Sequence, residues 1–382
     1  MKVVQFTTDN REQQDDYDNP FPHFGAAPEA LLSGLAQIPD IDVHVISCVR
    51  RKVSAPNPLY GRITYHPVEV PKWGWMSSAY LGCVRATRQL VREINPDIVH
   101  GQGTERECAM NAVYSGKPNV VTIHGNMAEL NRLGETFKSA RLYGILASRL
   151  ETHSLGRTGG VFCNSAYTES LVAPRAKRTW RVPNAIRGEF FRPRNRQTGS
   201  PEVPMILNVG VLGMRKRQLE ILRMAAELHT EGYRFQLVFT GAFSTAQEYG
   251  QTFASELRKA EKAGYATHAG YLNADSLISL MDEASGFVHF PSEEAFGLVV
   301  AEAMARGLKF LGANLGGIKE IATGIPGAEL HLSFEELKRG MAAWLDDGAQ
   351  RVPDAATTIR DKYSPEAVAR QHIEIYHDLL NR

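Results

Sequence analysis

Short apolar runs alternate along the chain with longer stretches whose apolar residues recur every three or four positions. In the first half KVVQF (2–6), DVHVIS (42–47), RITYHPV (62–68), DIVHG (97–101), NVVTIHG (119–125), GVFCNS (160–165) and TWRVPN (179–184) read as strands. EALLSGLAQI (29–38) and LGCVRATRQLVREI (81–94) have helical spacing between them. The second half repeats the alternation. Strands are MILNVG (205–210), RFQLVFTG (234–241), ATHAG (266–270), GFVHF (286–290) and LKFLGAN (308–314). Helices are predicted at 217–232, 246–264, 274–284, in PSEEAFGLVVAEAMARG (291–307) and at 333–347, with a last one in SPEAVARQHIEIYHDLLNR (364–382). Strands that take turns with helices pair in parallel, because a parallel pair needs a crossover and a hairpin does not. The expected fold class is therefore α/β, with doubly wound parallel sheets.

Between the halves, FFRPRNRQTGSPEVP (190–204) gathers three prolines, a Gly-Ser step and several charges, the composition of a linker. The expected division is an N-terminal domain over 1–190, a C-terminal domain over 191–363, and a helix over 364–382 that packs back on the first domain. Ligands of such open sheets bind beyond the carboxyl ends of the strands. Candidate chemistry should therefore sit just after a strand.

Charge and cysteine content narrow the function classes. Lys plus Arg number 43 against 42 Asp plus Glu, so no bulk field draws the chain to nucleic acid or anionic membrane. The four cysteines, Cys48, Cys83, Cys108 and Cys163, form no C-x-x-C pair, which speaks against zinc and against a disulfide framework. No run of about 18 apolar residues exists, and MKVVQFTTDN turns polar too early for a secretory signal. A cytoplasmic protein is the expectation.

The segment after GFVHF holds the densest chemistry. Glu294 and Glu302 have seven residues between them, an apolar run that contains Gly297. Pro291 and Ser292 break the strand, and a helix should begin near Phe296 or Gly297. Its first N–H groups form an anion site that Gly297 leaves open to close approach. Simple capping by Glu293 or Glu294 is the alternative, but a glutamate inside VVAEAMA is set among apolar neighbours and needs a partner. In NVGVLGMRKRQ a strand ends at Gly210 and a loop carries Arg215, Lys216 and Arg217. A solvated basic turn is the plain reading of that loop. His100 and His124 each end a strand, and Gly25 precedes the first helix.

The 291–320 region resembles the E-x7-E motif of the retaining glycosyltransferases of family 4 (glycosyl transferases group 1), which have the GT-B fold. Pro291, Ser292, Glu294, Phe296, Gly297, Leu298, Glu302, Ala303, Met304, Ala305, Gly307, Gly316, Gly317 and Glu320 match it. The resemblance extends over essentially the whole chain, more weakly in the first half. It implies two Rossmann-like domains facing across a cleft, and a sugar moved from a nucleoside-diphosphate donor to a hydroxyl acceptor on a glycan, lipid-linked sugar or small molecule.

The resemblance also implies roles. Glu302 would bind the donor ribose, Glu294 the donor sugar, and the backbone around Phe296, Gly297, Leu298 and Val299 the diphosphate. Lys216 matches the family lysine that neutralises the leaving group. Many members carry an arginine directly after the glycine matched by Gly210, where this chain has Val211; Arg215 is placed to replace it. His124 matches a histidine that faces the donor sugar. Gly25 matches the first of two glycines and Ala26 departs from the second, as Ala185 departs at the domain crossing. His100 reads as a wall of the acceptor site or as packing, and His23 has no assigned role. The polar loop ahead of Gly25 is placed either to contact an acceptor or to lie as plain surface. No metal or other cofactor is expected, since no Asp-x-Asp pair lies in a suitable loop. Nucleic acid is not an expected partner. Trp73 and Trp75 beside Arg85, Arg88 and Arg92 allow a peripheral contact with the inner face of a membrane, against packed indoles and a solvated face. A sugar-nucleotide epimerase or phosphorylase of the same fold, and a non-catalytic sugar-nucleotide-binding protein, remain as rivals. A dinucleotide oxidoreductase is disfavoured, since no G-x-G-x-x-G follows the first strand.

Overall fold

The computed structural model describes residues 1–11, 16–132, 141–194 and 203–381. The chain divides into two compact units, Met1–Arg187 with Ser364–Arg382, and Gly188–Tyr363. Each is built on a sheet whose strands all run parallel.

The first unit has β1 (Lys2–Phe6), β2 (Asp42–Val49), β3 (Thr64–Glu69), β4 (Ile98–Gln102), β5 (Asn119–Ile123), β6 (Val161–Cys163) and β7 (Thr179–Arg181), in the order β3-β2-β1-β4-β5-β6-β7. Its helices are α1 (Ala26–Leu35), α2 (Leu81–Ile94), α3 (Cys108–Val113), α4 (Met127–Arg132), α5 (Arg141–Arg157) and α6 (Ala166–Val172). α2 shows how the sequence pattern becomes packing. Cys83, Thr87, Val91 and Ile94 fall on one face and are buried, while Arg85, Arg88 and Arg92 are exposed. Asn95 ends the helix in the left-handed region, φ 52°, which asparagine tolerates better than most residues.

The second unit has β8 (Met205–Val209), β9 (Gln236–Thr240), β10 (Ala266–His268), β11 (Gly286–His289), β12 (Lys309–Ala313) and β13 (Ala328–His331), in the order β10-β9-β8-β11-β12-β13. Its helices are α7 (Gln218–Thr230), α8 (Glu248–Ala263), α9 (Ala274–Glu283), α10 (Leu298–Ala305), α11 (Gly316–Ala322), α12 (Phe334–Asp346) and α13 (Ala355–Tyr363). Ile221, Leu222, Phe239, Phe253, Val288, Leu311 and Met341 form its core. The turn at Gly188–Phe191 belongs here: Arg306, in a buried ion pair with Asp282 at 2.6 Å, donates to the carbonyls of Phe190 and Arg192. The last helix, α14 (Pro365–Leu380), groups with the first unit and packs on α1, placing Val368, Ala369 and Tyr376 in that core.

Strand order decides where chemistry can gather. The direction of winding reverses between β1 and β4 and again between β8 and β11. At such a reversal the loops leaving the two strands diverge and open a crevice at their carboxyl ends.

Candidate active site

In the second unit the two motif-bearing loops are the ones that leave the reversal. β8 runs into 210–217 and β11 into 290–297, and the strands are neighbours in the sheet. The loops are clipped together, the Ser292 N–H donating to the Arg215 carbonyl at 2.8 Å. Buried Gln218 shapes the first loop by accepting from the Gly213 N–H at 3.2 Å and donating to the Val211 carbonyl at 3.1 Å. Gly210 has φ 151°, and Gly241 passes so close that a Cβ there would lie 2.2 Å from the Gly210 carbonyl oxygen.

This clip brings Lys216 onto Glu294 and Arg215 onto Glu293, the latter at 3.1 Å to Oε2 and 2.9 Å to the main-chain oxygen. His289, buried at the end of β11, lies 3.4 Å from the same Glu294 oxygen. Burial alone would raise the Glu294 carboxyl, but the His289 hydrogen bond and the Lys216 charge outweigh it and hold the group well below the usual carboxylate range. Burial lowers His289, with Glu294 opposing, so the ring is neutral at pH 7 and carries its proton on Nε2 toward the carboxylate. Burial raises Glu293 against the pull of Arg215. Two carboxylates one residue apart therefore differ: Glu294 is held ionised, while Glu293 is pushed toward protonation.

Gly297 ends the loop in a left-handed conformation, φ 100°, and α10 starts at the next residue. Phe296 is buried against Tyr363, whereas Leu298 and Val299 stay partly exposed at the helix start. The first N–H groups of a helix have no carbonyl of their own turn to bond. Glu302, further along α10, is only 3% exposed. Val211 projects outward, 65% exposed, and Arg217 leans over the Phe334 ring at 6.0 Å instead of pointing freely to solvent.

The other predicted residues belong to the first unit. His124 follows β5, and its Nε2 lies 3.0 Å from Gln102 Oε1. The orientation of that amide is fixed by a buried chain of polar groups. Gln102 Nε2 donates to Gln5 Oε1 at 2.9 Å, and Gln5 Nε2 donates to the Tyr376 hydroxyl at 2.9 Å. Tyr376 bonds His100 Nδ1 at 2.5 Å, and His100 Nε2 bonds Thr122 Oγ1 at 2.7 Å. Gln102 therefore presents an acceptor, and His124 carries its proton on Nε2. Burial lowers His124 to about 4, so it is neutral at pH 7. His100 is wholly buried in this network, a packing residue of the core.

Gly25 caps α1 with extended backbone, and a Cβ there would meet Pro28 at an ordinary 3.5 Å. The polar loop before it is anchored by the buried pair Asp9–Arg11 at 2.7 Å, with Tyr65 donating to Asp9 at 2.8 Å; residues 12–15 of that loop lie outside the described residues. His23 bonds Asn19 at 2.9 Å. Trp75 is buried and Trp73 is 70% exposed.

Family models match both units. One described as glycosyltransferase family 4 covers residues 29–189, and one described as glycosyl transferases group 1 covers residues 191–353. The fold matches sucrose-phosphate synthase from Thermosynechococcus elongatus with a TM-score of 0.74 at 15% identity, over 100% of this chain and 99% of that one. The chain belongs to the GT-B glycosyltransferases. This glycosyltransferase is also similar to HepE of Anabaena, solved in complex with UDP-glucose, with a TM-score of 0.71 at 16% identity over 99% and 100% of the two chains. By sequence it is 28% identical over 202 residues to the sulfoquinovosyl transferase SQD2 of Arabidopsis thaliana, a match that covers 50% of this chain and 36% of that protein.

The expected two Rossmann-like parallel sheets are present in this glycosyltransferase, and the sequence comparison extends the resemblance beyond the 291–320 motif. Pattern reading missed His289, Glu293 as the Arg215 partner, and Gln218. Each is an unremarkable polar residue in its own segment, and its signal lies in a neighbour about 5 to 80 positions away. Among the described residues no three His, Cys, Asp or Glu side chains converge as metal ligands would. All four cysteines are free and buried. No helix among the described residues is long and apolar enough to cross a membrane.

Proposed function

We propose that this glycosyltransferase takes a nucleoside-diphosphate sugar as donor and transfers the sugar to a hydroxyl acceptor with retention of configuration. The observation that carries the reading is the cluster at the β8/β11 reversal: two cations, a carboxylate held ionised and the start of α10, gathered where two neighbouring strands end. Anions bind helix starts because the unpaired N–H groups and the helix dipole both favour negative charge. The donor diphosphate would lie on the N–H groups after Gly297, with Lys216 and Arg215 neutralising it as the sugar–oxygen bond breaks and the electron pair leaves with the phosphate. Preorganised charge of this kind is often the largest single contribution to a rate. Glu294 would face the sugar, where positive charge develops, and the acceptor hydroxyl would attack from the face the diphosphate leaves, its proton passing to the departing phosphate oxygen. Glu302 would accept from the ribose hydroxyls. Two cations suffice for the leaving charge, so no metal is required in this reading. HepE, with the same fold, was solved with UDP-glucose, which supports a donor of this class.

A thermal-shift series with UDP-, GDP- and ADP-sugars tests the donor, because a ligand that binds only the folded state raises Tm by mass action. One nucleotide class should stabilise the wild type, and Glu302→Ala should weaken its binding by about 1.5–3 kcal/mol, some ten- to hundredfold in Kd. An unchanged Kd removes Glu302 from the site. Nuclear magnetic resonance of the product anomer with the best donor decides between retention and inversion.

A further inference from the structure

A string of five hydrogen bonds runs from His124 to Thr122 by way of the C-terminal helix, and all five point the same way. Gln102 Nε2 donates to Gln5 Oε1, and Gln5 Nε2 donates to the Tyr376 hydroxyl, both at 2.9 Å. A hydroxyl that accepts from Gln5 gives its own proton to its other neighbour, His100 Nδ1. Burial keeps His100 neutral, so its one proton is on Nε2 and goes to Thr122 Oγ1 at 2.7 Å. At the other end Gln102 Oε1 faces His124 Nε2 at 3.0 Å, and only a proton on that nitrogen makes the contact a bond. Donors therefore follow in series from His124 through Gln102, Gln5, Tyr376 and His100.

Such a string has two self-consistent states. Each inner member donates once and accepts once, so turning one amide over forces its neighbours to turn as well. The reversed state would put the His124 proton on Nδ1. Tyr376 is the pivot, because its hydroxyl is at once the acceptor for Gln5 and the donor to His100. Gln102 Nε2 also lies 3.5 Å from each His100 nitrogen, too far to stand in for the 2.9 Å bonds. The tyrosine is wholly buried, and its ring packs against Phe162 and His372. A phenylalanine there keeps the ring and loses only the hydroxyl.

The far side of His124 shows what the string accomplishes. Nδ1 is buried, and no group among the described residues bonds it, the nearby Asn184 side chain included. With the proton held on Nε2, this nitrogen is a bare lone pair, and a buried acceptor is costly to leave unanswered. A ligand hydroxyl answers it, whereas a ligand carbonyl does not. We infer that Tyr376 is a positioning residue for sugar transfer: through Gln5 and Gln102 its hydroxyl holds His124 in the Nε2–H tautomer, so that His124 meets a substrate hydroxyl as a hydrogen-bond acceptor and not as a donor. The part in transfer rests on the function proposed above; the control of the tautomer does not.

Long-range proton–nitrogen correlation spectra of protein labelled with nitrogen-15 in its histidines read the tautomer directly, and His124→Gln identifies the His124 signals by their loss. The wild type should show Nε2 protonated and Nδ1 bare. Two variants release the ring: Tyr376→Phe, and Gln5→Met, which cuts the string but leaves the tyrosine. Each should give a mixture of tautomers and lower turnover about tenfold at saturating donor and acceptor, short of the roughly hundredfold loss of an acid–base group. Gln102→Glu is the rescue. An ionised carboxylate only accepts, so it keeps the proton on Nε2 whether or not the tyrosine hydroxyl is present. Adding Tyr376→Phe to Gln102→Glu should then leave the tautomer unchanged and turnover within about twofold, which a mere loss of packing would not do. Melting curves verify that each variant is folded. A wild-type ring protonated on Nδ1 overturns the inference. So do folded Tyr376→Phe and Gln5→Met variants that keep either the wild-type tautomer or wild-type turnover, and so does an equal loss in the Gln102→Glu background. Failure of the wild type to transfer from any nucleotide sugar would instead count against the proposed function, and the spectra would still decide whether Tyr376 sets the tautomer.

Discussion

The placement of Glu294 depends on a neighbour that carries no functional group. Gly317, in α11, donates its N–H to the Glu294 carbonyl at 3.0 Å, so the 294–297 loop rests on the start of that helix. A Cβ added at Gly317 would lie 2.4 Å from the Ala295 oxygen, 2.4 Å from Phe296 Cα and 2.7 Å from the Phe296 oxygen. Comfortable contact begins near 3.5 Å, so the loop must retreat by about 1 Å. All three obstacles are main-chain or Cα atoms, and no rotamer change relieves them. Gly317 is also the cleaner test than Gly316, whose φ of 49° adds backbone strain to any substitution. Overpacking of this kind costs about 1–3 kcal/mol, and a 1 Å displacement of a positioned group costs about a hundredfold in rate. Gly317→Ala should therefore lower sugar-transfer turnover about a hundredfold and reduce Tm by about 2–4 °C for each kcal/mol lost. Gly213→Ala is the control: its backbone is extended, and an added Cβ meets nothing within 4 Å, so Tm should stay at the wild-type value. The measurements are initial rates at saturating donor and acceptor, and calorimetric melting. Wild-type turnover and Tm in Gly317→Ala would show that the loop does not depend on α11 for its position, and the reasoning would fail.

Three further outcomes are expected. Lys216→Ala and Arg215→Ala should each lower turnover roughly a hundredfold, as loss of one preorganised donor does, while Arg217→Ala should be mild; near-normal turnover in Arg215→Ala alone would show that it does not replace the arginine missing at Val211. His124 and His372 are both lowered by burial to about 4, so the unfolded chain takes up protons that the folded unit refuses. Stability is then full above about pH 6.5 and falls as pH drops toward 4, by about 1.4 kcal/mol per pH unit per histidine; urea melts between pH 6.5 and 5 that show no such slope would refute this. Tyr376→Phe removes the hydroxyl shared by Gln5 and His100, so unfolding free energy should fall by about 1–3 kcal/mol, and an unchanged urea midpoint would mean the buried chain does not hold α14 in place.

Much of the architecture is written locally. LGCVRATRQLVREI becomes α2 over the same residues, because its apolar positions share one face and Asn95 stops it before Pro96. The strands that end in Gly210 and Phe290 were legible as buried apolar runs, and Gly297 as a place where a chain turns into a helix with its N–H groups outward. Short pieces were not legible in that way. α3, α4, α6, α11, β13 and α13 each span only 4 to 9 residues, too few for a period to declare itself, and tertiary packing decides them. The longer α5 also escaped the pattern: its buried positions Ala147, Glu151, Ser154 and Leu155 include two polar residues, and Glu151 is satisfied there by Thr104, the Met127 N–H and Arg175.

Nothing in the linear order says that residue 216 meets residue 294. That pairing follows from β8 and β11 lying side by side, which depends on how the whole second sheet is wound. Strand order likewise joins Gln5, His100, Gln102 and Thr122 into one buried chain, completed by Tyr376 from α14, that orients His124, and it sets Arg50 and Arg106 against the same indole, that of Trp75. The sequence by itself determined which segments fold and which residues carry charge, since those depend on neighbours a few positions away. Only the tertiary structure decided which charges meet, because a parallel sheet places side by side strands that the chain separates by a crossover.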